Sequence, residues 1–372
     1  MRLPVYRQAD GVRRPVARVA SRVPAALAAL AALAGLGALP ALAPAGAAVS
    51  ARAAGGSRSS RVTITLYNGQ HPETTSALVA AFEKRTGIRV VVRDGDEDQL
   101  ADEILEEGGS SPADVFYSEN SPALEDLQSH GLLAKVWAST LEEVPRRYDS
   151  PEGDWVGVSA RVSGFVYNTR LLSRSQLPRS VLDLASPRYE GKLALAPTET
   201  DFQPVVTAVE RAVGHEKALR WLEGLKRNAG SHVYPDDETL TAAVNSGQVA
   251  IGVINDYYWY RLRYDLGAPR MHSVFAYFAP RDPGYVVDVS GAAVLRSSRH
   301  RRAAEELLAF LVSREGEQIL AHSQSYEYPL GSGVGTAQPI RPFDELRPDP
   351  VTIAELGEGR AALALLQQAQ VL

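Results

Sequence analysis

Cysteine is absent from all 372 residues. That excludes disulfides, zinc-thiolate and iron-sulfur sites, thiol nucleophiles and a lipid-modified N-terminal Cys, so any metal must be held by O and N donors. No GxGxxG, Walker A or GxSxG stretch occurs either, and dinucleotide, phosphate-transfer and serine-hydrolase readings lose support. Basic charge is in deficit: 39 Lys and Arg, only five of them Lys, face 44 Asp and Glu, for a formal charge of -5. An acidic balance argues against nucleic acid as a partner and against a basic membrane-docking face. What is present, 45% hydrophobic and 22% charged residues, is a globular composition with room for two domains.

The N-terminus stands apart from this acidic body. Residues 1–22 hold six Arg (Arg2, Arg7, Arg13, Arg14, Arg18, Arg22) against one acid, Asp10. A run of Ala and Leu from Ala25 to Ala43 follows, then the small residues Ala45-Gly46-Ala47. Charged, apolar, small is the order of an export signal, here residues 1–47 with cleavage near Ala47. Arg13-Arg14 reads as ordinary charge of that signal. Removing a segment of charge +5 leaves the remainder near -10. Residues 48–60, rich in Ala, Gly and Ser, read as a flexible tether. The body is then expected outside the cytoplasm, periplasmic or extracellular, with no Cys to carry a lipid anchor.

From Val62 onward short apolar runs alternate with helical patterns. Val62–Leu66, Ile88–Arg93 and Asp114–Tyr117 read as strands; Pro72–Arg85, Glu97–Glu107 and Pro122–His130 read as helices. Such β-α-β-α-β alternation points to a parallel sheet covered on both faces. A second set follows Gly164: strands at Lys192–Ala196 and Val249–Ile254, with helices at Phe202–Val213, His215–Arg227, Asp237–Asn245 and Tyr257–Tyr264. Two sheets in one chain suggest two lobes. The late run Val286–Leu295 and the helix His300–Val312 can return to complete the first.

In open α/β sheets ligands sit beyond the carboxyl ends of the strands. Those positions here hold Tyr67-Asn68-Gly69-Gln70-His71, Ser118-Glu119-Asn120, Thr198-Glu199-Thr200-Asp201 and Asn255-Asp256-Tyr257-Tyr258. A cleft between the lobes would gather His, Glu and a Tyr pair. Adjacent side chains of a strand point to opposite faces, so both phenols reach one ligand only if the strand has ended. Asn255-Asp256 supplies a helix N-cap at that point, placing both in a first turn where the dipole favours phenolate. The alternative is that Tyr257, Tyr258, Trp259 and Tyr260 form an aromatic core cluster. As ligands, phenolate and carboxylate are hard anionic donors that suit a hard, highly charged cation, and Fe(III) fits. One carboxylate and two phenolates balance its three charges, with the metal displacing the phenolic protons.

Five stretches carry a resemblance: YNGQH (67–71), SPADVFYSEN (111–120), INDYYW (254–259), RDPGYVVDVSGAAVL (281–295) and EYPL (327–330). In their order and spacing the chain resembles the bacterial ferric-iron-binding periplasmic proteins, the substrate-binding components of iron(III) ABC importers. The resemblance implies the α/β, two-lobed periplasmic-binding-protein fold of type II. Each lobe would be a mixed, mostly parallel sheet flanked by helices, with the ligand cleft between them. It implies a first lobe of residues 61–160 plus 286–335, a second of 161–285 plus 336–372, and crossings near Ser159–Val162 and Pro280–Val286. It further implies His71, Glu119, Tyr257 and Tyr258 as the iron ligands, iron or a ferric chelate as cargo, permease and ATPase subunits as partners, and a binding protein, acting as a monomer, rather than an enzyme.

The sequence departs from the family pattern where a synergistic anion, often phosphate, completes the iron site. Ser-Gly-Ala and Asn in that pattern become Glu199, Thr200, Asp201 and Asp237 here, with Asn255 retained. Three carboxylates would repel phosphate in a partly desolvated cleft. Phosphate is therefore not the expected co-ligand; water, carbonate held by Arg161, or a carboxylate from Glu199 or Asp201 remains, unless these acids simply face outward ahead of Phe202. His130, His215, His232, His272, His300 and His322 show no ligand spacing and read as structural or surface residues. Two rivals use the same residues. A polyamine-binding or other cation-binding protein of this fold would explain the added acids but not His71. A metal-dependent enzyme would need an open coordination position and a spare general base, and none is identifiable.

Overall fold

The computed structural model describes residues 62–331 and 333–372. The readings of residues 1–47 as a signal and 48–60 as a tether lie outside the described residues. Among the described residues nine strands occur: β1 (Thr63–Asn68), β2 (Arg89–Asp94), β3 (Val115–Ser118), β4 (Val156–Asn168), β5 (Leu193–Ala194), β6 (Ile251–Asn255), β7 (Ser273–Ala276), β8 (Val287–Val294) and β9 (Tyr328–Pro329). The helices are α1 (Pro72–Thr86), α2 (Glu97–Glu107), α3 (Ser121–Ser129), α4 (Ala138–Leu141), α5 (Phe202–Val213), α6 (His215–Ala229), α7 (Asp237–Ser246), α8 (Asp256–Leu266), α9 (Arg301–Leu311), α10 (Arg314–His322), α11 (Ile353–Leu356) and α12 (Arg360–Gln368).

Local signals account for the first elements. α1 opens on Pro72, whose missing N–H costs nothing there, and stops at Gly87, which takes the left-handed conformation at φ 74°. α2 opens where the Asp96 carboxylate accepts the Gln99 N–H. Between them β1 pairs in parallel with β2 and with β3, burying Ile64, Leu66, Val115 and Phe116 under the helices. The same logic joins β5 to β6 in parallel.

The strand β4 organises the rest. All 13 of its residues are buried. Its first part, Val156–Val162, pairs antiparallel with β8; its second, Ser163–Tyr167, pairs antiparallel with β6. Partner exchange falls between Val162 and Ser163, where the Ser163 hydroxyl donates to the Gly284 carbonyl and accepts the Val286 N–H. The sheet order is β2-β1-β3-β8-β4-β6-β5, with β7 and β9 also on β4. Among the strands named in the described residues, parallel pairing is confined to β1–β2, β1–β3 and β5–β6, whereas every pairing of β4 and β8 is antiparallel. The mixed character is as expected, but parallel pairs do not predominate: two long strands shared by both halves supply the balance, and βα alternation does not reveal them.

Candidate metal centre

Four side chains from the two halves converge where β1, β3 and β6 end. His71 occupies the N-cap position of α1 but makes no cap bond, which leaves its ring free to turn inward. Glu119 lies in the turn between β3 and α3. Across from them, β6 ends at Asn255 and α8 begins at Asp256, so Tyr257 and Tyr258 fall in a first helical turn. Asn255 is the N-cap residue by position, although its side chain makes no capping bond. The two phenol rings lie 4.1 Å apart, and the His71 ring meets Tyr257 edge-on at 5.2 Å.

Tyr257 Oη donates its one proton between two acceptors, Glu119 Oε1 at 2.6 Å and Asp201 Oδ2 at 2.7 Å. His71 Nε2 lies 3.7 Å from the same Glu119 oxygen. Two buried atoms at this point, His71 Nε2 and Asp201 Oδ1, have no hydrogen-bond partner. Buried polar atoms are nearly always satisfied, so lone pairs left over beside two phenols fit an ion. Among the described residues no cluster of three His, Asp or Glu is arranged to hold a metal. The phenols are therefore indispensable to any such site.

The surrounding network is polar and almost wholly buried. Arg161, at 0% exposure, is ion-paired with Glu327, also at 0%. Its Nη1 donates to Asn120 Oδ1 at 3.1 Å, and its Nη2 is 3.8 Å from Glu119. Glu327 also accepts from Gln70 Nε2 and Ser159 Oγ. Arg161 thus has its charge matched from within the protein. Thr200 bridges the halves, donating to Glu97 Oε1 at 2.8 Å and accepting from Asn120 Nδ2 at 3.1 Å. Glu199 Oε2 accepts the Asp237 N–H at 3.3 Å, and Asp237 is buried beside it. The acids ahead of α5 do not face outward.

Crowding of acids sets the electrostatics. Burial, then the charges of Asp201 and Glu119, pushes Tyr257 well above the ordinary phenol range, and Tyr258 rises for burial and the charges of Asp201 and Glu199. Burial lowers His71 to about 4, so it is neutral and able to ligate at neutral pH. Glu199 is raised to about 8 by burial and then by Asp201. Asp237 rises well above its range through burial and Glu199, and Glu97 through burial and Glu119. A multivalent cation entering here would take the place of these protons.

Metal-free stability should follow. Glu199, at about 8 in the fold against an ordinary 4.5, stabilises fully below 4.5 and loses that contribution as pH rises through about 8. His71 has the opposite sense: its contribution is complete above 6.5 and is lost as pH falls through about 4. Above 6.5 the raised acids act alone. The metal-free protein should melt at a lower temperature at the upper end of that window, and Glu199→Gln should reduce the slope. A melting temperature that climbs with pH there would contradict this electrostatic account.

Position after strands did not single out Glu327, Glu97 or Arg261. Arg261 Nη1 donates to His71 Nδ1 at 3.3 Å and lies 3.5 Å from Glu238. Glu327 carried one usable signal, an acid flanked by Tyr326 and Tyr328 and followed by Pro329-Leu330. Glu97 looked like an ordinary first-turn acid of α2.

The model for the family described as bacterial extracellular solute-binding protein matches residues 110–345, a span that contains Glu119, Asp201, Tyr257 and Tyr258. The major ferric iron-binding protein of Neisseria meningitidis serogroup B is 39% identical over 309 residues, covering 82% of this chain and 92% of that protein. The chain belongs to the bacterial ferric-iron-binding periplasmic protein family. Among solved structures of the family, iron-bound HitA from Pseudomonas aeruginosa aligns with TM-score 0.79 and 43% identity, over 83% of this chain and 99% of that one. A Trichodesmium protein (IdiA, FutA) in complex with iron and citrate aligns with TM-score 0.73 and 29% identity, over 82% and 99%. The fold is accordingly the α/β periplasmic-binding-protein fold, and these family members are binding proteins rather than enzymes.

Proposed function

We propose that the protein captures Fe(III) outside the cytoplasm through His71, Glu119, Tyr257 and Tyr258 and hands it to an ABC permease and ATPase carried on other chains. The observation that carries this reading is the Tyr257 hydroxyl, shared at 2.6 Å with Glu119 from the opposite half of the sheet, beside a His71 Nε2 that has no protein partner. Neutral imidazole, carboxylate and two phenolates form a hard donor set that matches a trivalent cation in charge. Relatives named as ferric iron-binding proteins support the choice of metal. Residues 61–160 plus 286–335 and 161–285 plus 336–372 would act as two lobes that hinge about β4, whose change of partner at Val162 and Ser163 suits a crossing.

Donor chemistry disfavours a polyamine: His71, kept neutral by burial that lowers it to about 4, adds an imidazole nitrogen that ammonium groups do not need and a metal does. Metal-free protein titrated with Fe(III) supplied on a weak chelator should take up one equivalent and turn red to orange from phenolate-to-iron charge transfer. Zn(II), Ca(II) and spermidine should not compete. A colourless mixture, or displacement of iron by spermidine, would count against ferric capture.

A further inference from the structure

We propose that Thr200 and Glu97 form a clasp between the two halves of the protein, a pair of positioning residues that sets how long the captured ion is held without touching it. The inference rests on the ferric reading of the site and on its hinge, and adds the contact that keeps the hinge shut.

The clasp lies where the N-termini of α2, α3 and α5 meet. Glu97 opens α2 and is fixed from two sides: Asp96 caps the helix, and the Gly69 backbone lies so close that a Cβ there would meet the Glu97 Cβ at 2.5 Å. The Thr200 hydroxyl, from the opposite half, donates to Glu97 Oε1 at 2.8 Å. The Asn120 amide donates to that same oxygen at 2.9 Å and to the Thr200 hydroxyl at 3.1 Å. Three residues from two halves thus close a ring of three hydrogen bonds. The hydroxyl is donor to one partner and acceptor from the other, which Thr and Ser can manage and no apolar residue can. Glu97, Asn120 and Thr200 are 4%, 2% and 9% exposed, and exclusion of water strengthens such bonds. Beside the ring, Gln203 Nε2 of α5 donates to Asp98 Oδ2 of α2 at 3.2 Å.

None of these atoms belongs to the proposed ligand set, so the ring acts on the cargo through position alone. Glu119 directly precedes Asn120 and reaches Tyr257 across the same seam at 2.6 Å. Holding Asn120 against Thr200 therefore holds Glu119 opposite the phenols. An ion gripped from both halves leaves only when they part, and parting breaks the Thr200 bonds. The ring thereby slows release, whereas capture starts from the open arrangement and does not depend on it. It also supports the closed arrangement by protein contacts alone, which raises the share of that arrangement in metal-free protein. Thr200 is one of the positions where this chain departs from the family pattern, which has Gly there, so the hydroxyl is a feature of this chain.

Two measurements on the full chain test the clasp. Iron loss to excess EDTA is followed by fading of the charge-transfer colour. Thr200→Val should release iron about 10-fold faster with the band unmoved, and Thr200→Ser should restore the wild-type rate. Glu97→Met breaks the ring from the other side, should match Thr200→Val, and replaces it if circular dichroism shows that variant unfolded. The two together should release no faster than either alone, because both remove one interaction. Nitroxide labels at Asp102→Cys and Lys217→Cys, exposed positions on α2 and α6 in a chain with no Cys of its own, report the separation of the halves by pulsed electron paramagnetic resonance. Thr200→Val should shrink the closed fraction of the metal-free protein. A release rate within twofold of wild type, additive rates in the double variant, or a shifted band, which would put Thr200 at the metal itself, would overturn the clasp. Label distances that stay the same when wild type is loaded would instead remove the hinge, and a wild type that never colours would remove the ferric reading.

Discussion

Tyr257→Phe with Tyr258→Phe leaves a protein that stays colourless with Fe(III) and no longer retains it. The phenolate oxygens are the only groups at the site that can produce a visible transition to iron, so colour reports them and not the fold. Loss of an outer-sphere partner at a metal site costs about 10–100-fold in affinity; removing two of the inner donors should cost far more. Tyr257→Phe alone should be the more severe single change, because its oxygen joins Glu119 to Asp201 across the halves. It also leaves both carboxylates without their shared donor, at a cost of about 1–3 kcal/mol to the metal-free fold. A melting temperature that drops modestly while binding is abolished separates the two effects. Retained colour in the double variant would exclude both residues as ligands.

Glu327→Gln should be the most destabilising single change near the site. Arg161 and Glu327 are both fully buried and paired with each other. Breaking such a pair from one side leaves an uncompensated charge in the interior and costs about 3–5 kcal/mol. The pair is held at the centre of the fold, since Arg161 lies on β4 and Glu327 adjoins β9, and Gln70, Ser159 and Arg161, which share the two carboxylate oxygens, are left with one acceptor oxygen and an opposing amide NH2. Function should suffer as well. Arg161 Nη2 already lies 3.8 Å from Glu119 Oε1, and once released it would compete with the metal for that carboxylate. Urea unfolding should show a lower midpoint with an unchanged slope. A loss below about 1 kcal/mol would mean that solvent reaches the guanidinium.

How much of this was legible depended on whether the governing interaction was local. α2 and α5 span the expected Glu97–Glu107 and Phe202–Val213, and α1 ends one residue beyond its expected bound, because Pro72, Asp96 and glycines act within a turn. β4 was not legible as one strand. Buried on both faces, it carries Gly157, Ser159, Arg161, Ser163 and Gly164 among its apolar residues, and neither a period of two nor an apolar run survives. α10 and α11 do carry local caps, Ser313 accepting the Gly316 N–H and a Thr352–Glu355 capping box, but neither follows a strand and the βα alternation did not bring them out. At the site, His71, Glu119 and the Tyr pair stood out because each follows a strand. Whether Asp201 faced in or out was undetermined, since a helix N-terminus accommodates either; the hydrogen bond from Tyr257 Oη, 56 residues away in the chain, decided it. Glu327 reaches Arg161 across 166 residues of chain, a distance that sequence pattern does not span.

The most direct measurement is anomalous diffraction at the iron edge from crystals of the loaded protein. The account predicts one strong peak bonded at about 2.0–2.2 Å to Oη of Tyr257 and of Tyr258, a Glu119 oxygen and His71 Nε2. A peak elsewhere, or phenol hydroxyls turned away from it, would contradict the account.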